Sequence, residues 1–279
     1  MPNHNMFKQH RRGDQEKVYD NSPPEKQTES HLHYGHSYDG RSYNIQVFED
    51  ALHVATTQYP YTNNYESINK IASLPSFVER KFKVHITQND CAIDVPRGRK
   101  GILVNSASAK RPGGGVRTGA CAQEEELCKR SNLIMGLDKL DSDLHYPIHK
   151  KTIGVYFPDV TFFNKGKEFD YDPEEVPFTT DVVALFSQPV DKIGEDATYD
   201  YHCCAFQPLI HFANKYQATY IVIPPVGCGV FRNDPNEVSK ALLKVLGSFQ
   251  LETVTDIYIS CYTGEENYDA FRWCFRKWL

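Results

Sequence analysis

A chain of 279 residues with 40% hydrophobic, 13% aromatic and 24% charged residues is long enough for one large globular core plus a tail. Its net charge of −5, with 31 basic residues scattered along the chain, argues against a surface dedicated to nucleic-acid phosphate, which needs a concentrated basic footprint. No run approaches the ~20 apolar residues of a membrane span, the N-terminus carries no hydrophobic signal core, and the eight cysteines form no CxxC pair. These features predict an intracellular, cytoplasmic protein with reduced thiols and no structural zinc.

Residues 1–40 are polar, aperiodic and rich in His, Gln, Glu, Lys and Pro. Such a stretch buries too little apolar surface to offset its ordering entropy and reads as a tail. The histidines at 31, 33 and 36 are read as part of that solvated tail rather than as a metal site. From 41 to 82 the reading is a helical accessory segment, with Ile45, Phe48, Leu52, Ile68, Ile71 and Ala72 at helix spacing. From about 83 to the end, strands are predicted at Val84–Thr87, Gly101–Asn105, Thr152–Phe157, Val182–Phe186, Thr219–Pro224 and Asp256–Cys261. Helices are predicted over about 120–135, 201–217, 235–249 and 265–278. The polar, proline-containing stretch from Phe162 to Thr180 reads as an insertion loop. Uniformly apolar strands alternating with helices point to an α/β fold, a mixed and mostly parallel sheet flanked by helices on both faces.

Two segments carry chemistry. In the first, a buried strand ends at Asn105 and a small-residue stretch leads to Gly113-Gly114-Gly115. Three glycines permit positive φ and close backbone approach to a ligand, and their amides could form an anion-binding concavity. In the helix that follows, Ala120, Glu124, Leu127, Cys128, Ser131, Ile134 and Met135 form one stripe. Glu124 therefore falls on the apolar face, where a carboxylate is costly unless hydrogen-bonded. Glu125 lies at the edge of the stripe, and Glu126 is expected to face solvent. A charged helix start, with Glu125–Lys129 and Glu126–Arg130 pairs, accounts for Glu126 and in part for Glu125, but not for Glu124.

In the second segment, the strand Tyr220–Pro224 runs into Gly227-Cys228-Gly229-Val230-Phe231. It is followed by Asp234 as an N-cap, Pro235 at the first helical position and Glu237 placed for a capping box. A strand, a glycine loop and a capped helix make a phosphate-binding geometry, or merely a tight connection.

Gly113-Gly114-Gly115, seven residues, then Gln123-Glu124-Glu125 resembles the GGG…QEE signature of poly(ADP-ribose) glycohydrolases. The surrounding NSASAKRPGGG and GACAQEEELC are similar to the bacterial, or microbial-type, branch. The resemblance implies a macrodomain-like catalytic domain over 83–279 and makes Glu125 the catalytic acid. Glu124 would help position the ribose, with Gln123 in support and Asn105 in contact with the ribose. It further implies that Gly227, Cys228, Gly229 and Val230 form the diphosphate loop, with Phe231 packing on the ribose. Asn267 and Phe271 stand where the family tends to place an Asn and a Phe, and no contact is assigned to them. The segment 41–82 would border the adenine pocket, with Asp90 and Asp94 as candidate adenine contacts. The implied reaction is hydrolysis of the ribose–ribose O-glycosidic bond in poly(ADP-ribose), releasing ADP-ribose, by a monomer that uses no metal and no cofactor. The implied partners are ADP-ribose, its polymer or an ADP-ribosylated protein. The alternatives are a hydrolase of mono-ADP-ribose on a protein or nucleic acid, and a non-catalytic ADP-ribose reader. Two acids beside an anionic ligand argue against the reader.

Overall fold

The computed structural model of the chain describes residues 40–88, 97–144, 146–148, 153–262 and 264–279. The predicted tail, its histidines, Asp90 and Asp94 lie outside the described residues, apart from Gly40. Residues Tyr38–Leu279 form one compact unit.

In chain order the elements are α1 (Gly40–Thr57), β1 (Glu66–Ile68), β2 (Lys83–Thr87), β3 (Gly101–Ala107), α2 (Gln123–Arg130), α3 (Leu133–Leu144), β4 (Gly154–Asn164) and β5 (Pro173–Phe186). The short α4 (Val190–Ile193) follows, then α5 (Thr198–Ala205), α6 (Gln207–Lys215), β6 (Tyr220–Ile223), α7 (Pro235–Leu246), β7 (Asp256–Ser260) and α8 (Glu265–Phe275). The strands form a 7-stranded sheet in the order β1-β4-β5-β3-β6-β7-β2. β5, β3, β6, β7 and β2 run parallel, and only β4 is antiparallel to its neighbours β1 and β5. The expected mixed, mostly parallel sheet is therefore present.

Side chains alternate across the sheet with period two. Ile102, Val104, Val183, Leu185, Ile221 and Ile223 point to one face, where α6, α7 and α8 cover them with Phe212, Leu242, Phe271 and Phe275. Leu103, Val182, Ala184, Tyr220 and Val222 point to the other, against Phe48 of α1, Leu127 of α2 and Leu137 of α3. Burial on both faces is why the central strands read as unbroken apolar runs. Phe271, one of the two C-terminal positions noted above, belongs to this core.

Three sequence expectations are corrected. The accessory segment is helical only to Thr57; beyond it the chain is extended or irregular, and Ile68 pairs in β1 with Gly154 of β4. Its apolar residues follow the packing of an edge strand and loops rather than a helix stripe. The stretch 162–180 is no loop but the distal part of a long β4–β5 hairpin, with Phe162 opposite Phe178 and Thr161 opposite Thr179. Much of β5 before Thr180 is exposed, so its polarity reflects solvent and not irregular structure. Finally, the helix predicted over 120–135 breaks at Ser131-Asn132. There Ser131 Oγ donates to the Leu127 carbonyl (2.7 Å), and the Asn132 amide bridges the Tyr59 carbonyl (2.9 Å) and the Thr161 N–H (3.0 Å). Side chains take over the backbone's partners there, and the helix starts anew as α3 at Leu133.

The topology fixes where a ligand can bind. From β3 the chain leaves over α2 and α3 to β4 and β5 on one side, and from β5 it crosses the opposite face to β6 on the other. The carboxyl ends of β5, β3 and β6 thus share one edge of the sheet at a switch in winding direction, the usual position of a crevice in open α/β sheets. Among the described residues no helix is long and apolar enough to cross a membrane.

Candidate active site

Both glycine segments leave that edge from adjacent strands, the first from β3 and the second from β6. β3 pairs with β6 only as far as Leu103 opposite Val222. Beyond that point the Gln123 carboxamide takes over: its Oε1 accepts from the Ser106 N–H (2.8 Å) and its Nε2 donates to the Val104 carbonyl (2.8 Å). Gln123, the first residue of α2, is thus a structural clip that fastens the helix N-terminus to the strand end.

This clip sets the next two residues. Glu124 is 3% exposed, and its carboxyl accepts from Asn105 Nδ2 (3.2 Å) and from the Ser108 N–H (2.9 Å). Burial pushes this carboxyl up to about 8, against the opposing pull of those two hydrogen bonds and with the neighbouring Glu125 adding to the rise. Near neutral pH Glu124 is therefore largely protonated. Glu125 is 7% exposed; Oε1 accepts from the Gly115 N–H (2.8 Å) and Oε2 from the Ala122 N–H (3.1 Å). The second bond is the returning half of a capping box, whose other half is missing because residue 122 is alanine.

Gly114 is what admits both acids. Its φ is +59°, and a Cβ there would lie 2.5 Å from Glu125 Oε1 and 3.1 Å from Glu124 Oε2. The two carboxyls converge on a spot that only glycine leaves empty. The amides, however, do not form the open anion concavity expected from the sequence. The Gly114 N–H donates to the Arg111 carbonyl (3.1 Å) and the Gly115 N–H to Glu125. This loop already holds the protein's own carboxyl group, that of Glu125.

Glu126 is the second correction at this site. It does not face solvent: its side chain is only 14% exposed. It pairs with the wholly buried Lys129 rather than with Arg130, and both its oxygens accept from the Tyr171 hydroxyl (2.8 Å each). Lys129 also donates to Tyr171 (2.5 Å) and to Asn44 of α1 (3.3 Å). Tyr171 and its neighbour Asp170, held by Tyr43 of α1, both adopt positive φ (58° and 53°). Glu126 thus ties α2 to the tip of the β4–β5 hairpin and to α1. These partners lie far apart in sequence, and no local signal marks them.

The second loop is built differently. Gly227, with φ of +79°, is packed so tightly that a Cβ would sit 2.4 Å from Ser187 Oγ and 2.5 Å from Asn233 Nδ2. Asn233 holds the loop closed by donating to the Gly227 carbonyl (3.1 Å) and the Gln188 carbonyl (3.0 Å). Ser187 in turn contacts the buried ring of His202 (3.4 Å), whose pKa is lowered by burial. The Cys228 N–H is taken by the Pro225 carbonyl (3.1 Å). Among the described residues the N–H groups of Gly229, Val230 and Phe231 meet no protein acceptor. Gly229 is exposed with open space where a Cβ would be, and its φ is not positive. Phe231 is half-buried, and its carbonyl accepts from the Val190 N–H (3.0 Å). Three consecutive N–H groups are thus left free here, the raw material of an anion-binding loop. Asp234 caps α7 through the Asn236 N–H (2.8 Å), while Glu237 pairs with Lys240 instead of completing the expected capping box.

Asn105 Oδ1 is fully buried without a partner. A buried unpaired acceptor on β3, beside Glu124, is costly in isolation and calls for a donor, such as a ligand hydroxyl. No group of three or more metal-ligating side chains occurs among the described residues.

The chain is similar to several known proteins. The family described as microbial-type PARG, catalytic domain, matches residues 25–165, a span that includes the first loop and α2 but not the second loop. Among solved structures, the poly(ADP-ribose) glycohydrolase (PARG) of Thermomonospora curvata is similar with a TM-score of 0.70 at 17% identity, covering 84% of this chain and 100% of that one. The same enzyme bound to the inhibitor ADP-HPD gives 0.66 at 18% identity, covering 83% and 98%. The glycohydrolase of Deinococcus radiodurans in complex with ADP-ribose gives 0.59 at 17% identity, covering 86% and 93%. No curated protein sequence matches the chain.

Proposed function

The chain belongs to the microbial-type PARG catalytic-domain family, and from that premise we propose that Glu125 is the proton-transfer residue of a poly(ADP-ribose) glycohydrolase. The reaction is hydrolysis of the ribose–ribose O-glycosidic bond. Protonated Glu125 gives its proton to the departing ribose oxygen as the anomeric C–O bond breaks and oxocarbenium character develops. The resulting carboxylate then accepts a proton from water as the water oxygen bonds to the anomeric carbon. The two half-steps consume one water, leave a hydroxyl on each fragment and return Glu125 to its starting state. Where most glycosidases divide this work between two carboxylates, one serves both half-steps here.

The observation that carries the reading is the convergence of Glu124 and Glu125 on the vacant side of Gly114, beside a loop with three free amides. The amides of Gly229, Val230 and Phe231 take the diphosphate of ADP-ribose, with Gly227 fixing the bend and Cys228 bracing it from within. The Phe231 ring packs on the ribose. Asn105 Oδ1 accepts from a ribose hydroxyl. A largely neutral Glu124 donates a further hydrogen bond and spares the dianionic diphosphate a second buried charge. Gly113 and Gly115 supply the tight turn that lets ligand and acids approach. The test is incubation of the protein with poly(ADP-ribose) and, separately, with mono-ADP-ribosylated protein, followed by separation of the products. Free ADP-ribose released from the polymer supports the reading. Release from the mono-modified protein alone would reassign the substrate.

A further inference from the structure

Among the described residues the arginines are nearly all occupied. Arg97 and Arg117 pair with Glu174 and Asp138, Arg99 with Asp256, and Arg130 donates to the Asn164 carbonyl. Arg80, Arg272 and Arg276 lie over aromatic rings. Among the described residues, only Arg111 and Arg232 have exposed guanidinium groups with no hydrogen bond, ion pair or ring contact. One stands on each glycine loop, at the edge where the crevice opens.

Neither is on a floppy segment. The N–H groups of Lys110 and Arg111 both reach Ser108 Oγ (3.1 and 3.4 Å), Ser108 is held by Glu124, and the Arg111 carbonyl accepts from Gly114. Arg232 closes a turn onto the Gly229 carbonyl (2.9 Å) with φ of +56°, a conformation that L side chains rarely adopt. A strained, non-glycine residue kept at the lip of a binding loop is a mark of function more than of stability. Two free guanidiniums and the exposed Lys110 bring positive charge to this edge of a chain whose net charge is −5, beside the carboxylates of Asp234 and Glu266 near the second loop.

We propose that Arg111 and Arg232 form a polymer subsite that grips the diphosphate of an ADP-ribose unit adjacent to the one being released. This rests on the glycohydrolase reading above. The catalytic pocket holds one diphosphate through backbone amides, but a polymer presents another dianionic diphosphate on each neighbouring unit just outside it. A guanidinium fork matches that group in charge and in bidentate geometry. The rim would serve affinity for chains and leave the bond-breaking step to Glu125.

The experiment compares two substrates: poly(ADP-ribose), and an ADP-ribose O-glycoside of a phosphate-free alcohol, which fills the pocket but offers nothing to the rim. Each is assayed across a salt series with wild type, Arg111→Gln, Arg232→Gln, the double variant and Lys277→Gln as a control for charge loss at a remote exposed site. The double variant is expected to lose about 10-fold or more in kcat/KM on polymer, through KM, with the ratio of polymer to glycoside activity falling equally. The slope of log kcat/KM against log salt should flatten by about 0.7 for each guanidinium removed, as for phosphate contacts on a single-stranded polyanion. Arg→Lys variants should recover part of the loss, since charge returns without the fork. Equal losses on both substrates, or an unchanged salt slope, overturn the subsite. Failure of wild type to cleave either substrate would instead overturn the glycohydrolase reading.

Discussion

The two glycine loops leave neighbouring parallel strands at one edge of the sheet, yet they use their amides differently. In the loop after β3, the N–H groups of Gly114 and Gly115 are satisfied within the protein, the second by Glu125 itself. In the loop after β6, the N–H groups of Gly229, Val230 and Phe231 are left free. The first loop is a mould for carboxyl groups and the second a seat for an external anion. Glycine serves each for a different reason. At Gly114 a missing side chain makes room for two acids; at Gly227 it allows a bend under Ser187 and Asn233; at Gly229 it leaves the surface open. A glycine-rich sequence does not by itself say which of these applies.

The comparison assigns chemistry to the first loop and affinity to the second, and Glu125→Gln should break it most sharply. The substitution keeps the size of the side chain and one acceptor oxygen, sets an NH2 against one of the two backbone N–H groups, and removes the transferable proton. General acid–base assistance is worth about 10²–10⁴-fold, and with one residue serving both half-steps kcat should fall by roughly the upper part of that range. ADP-ribose affinity should be unchanged or slightly better, as measured by calorimetry. A variant that turns over normally would remove Glu125 from the mechanism.

Gly114→Ala comes next. The new methyl would meet Glu125 Oε1 at 2.5 Å in a residue whose φ is +59°, so either the loop or both carboxyls must move. Misplacement of reacting groups by about 1 Å costs on the order of 10²-fold. A loss of that size in kcat is expected, with a fall in melting temperature from the strained φ. ADP-ribose affinity should fall far less than turnover; parallel losses would show that the first loop also holds the anion.

Gly229→Val probes the other loop. Its φ needs no glycine and a Cβ meets nothing, so the melting temperature should stay within a degree or two of wild type. The side chain would instead screen the free amides. Loss of one or two charge-assisted hydrogen bonds, about 1.5–3 kcal/mol, corresponds to a 10- to 100-fold weaker Kd for ADP-ribose. An unchanged Kd in the folded variant would take this loop out of the site.

What was legible in the sequence follows the range of the interactions. The central strands and most of the helices could be read because their signals are local: apolar runs, glycine breaks and the Asp234-Pro235 helix start. Glu124 stood out because a carboxyl on an apolar helix face conflicts with its surroundings, and its burial is real. The helix break at Ser131-Asn132 was hidden because its cause lies elsewhere, in the Tyr59 carbonyl and the Thr161 N–H. Glu126 was misplaced for the same reason, since Tyr171 arrives from 45 positions away. The hairpin reads as a loop in the sequence because an exposed ribbon loses the apolar pattern that marks a buried strand. Even the triglycine, correctly singled out, concealed its purpose, because nothing in GGG tells whether its amides face a ligand or a neighbouring side chain.

The smallest effect at acidic pH, and the finest test of the first loop as a mould for acids, concerns Glu124. Burial raises its carboxyl to about 8 from an ordinary value of 4.5, so the folded protein binds this proton more tightly than the unfolded chain does. The sign follows from linkage: the stability associated with the protonated form is fully present below about 4.5 and is lost as pH rises through about 8. Glu124→Gln mimics the neutral acid at all pH values and cannot ionise. The amide accepts at one position where the acid accepts at two, so near pH 4.5 the variant should melt somewhat below wild type. Between there and pH 8 the variant should gain progressively on wild type, by a change on the order of a few kcal/mol that levels off above pH 8. Because both proteins share every other titrating group, the difference between their melting curves isolates this one carboxyl. A difference that stays flat across pH would mean that Glu124 is ionised in the folded protein, and that its burial does not hold the proton.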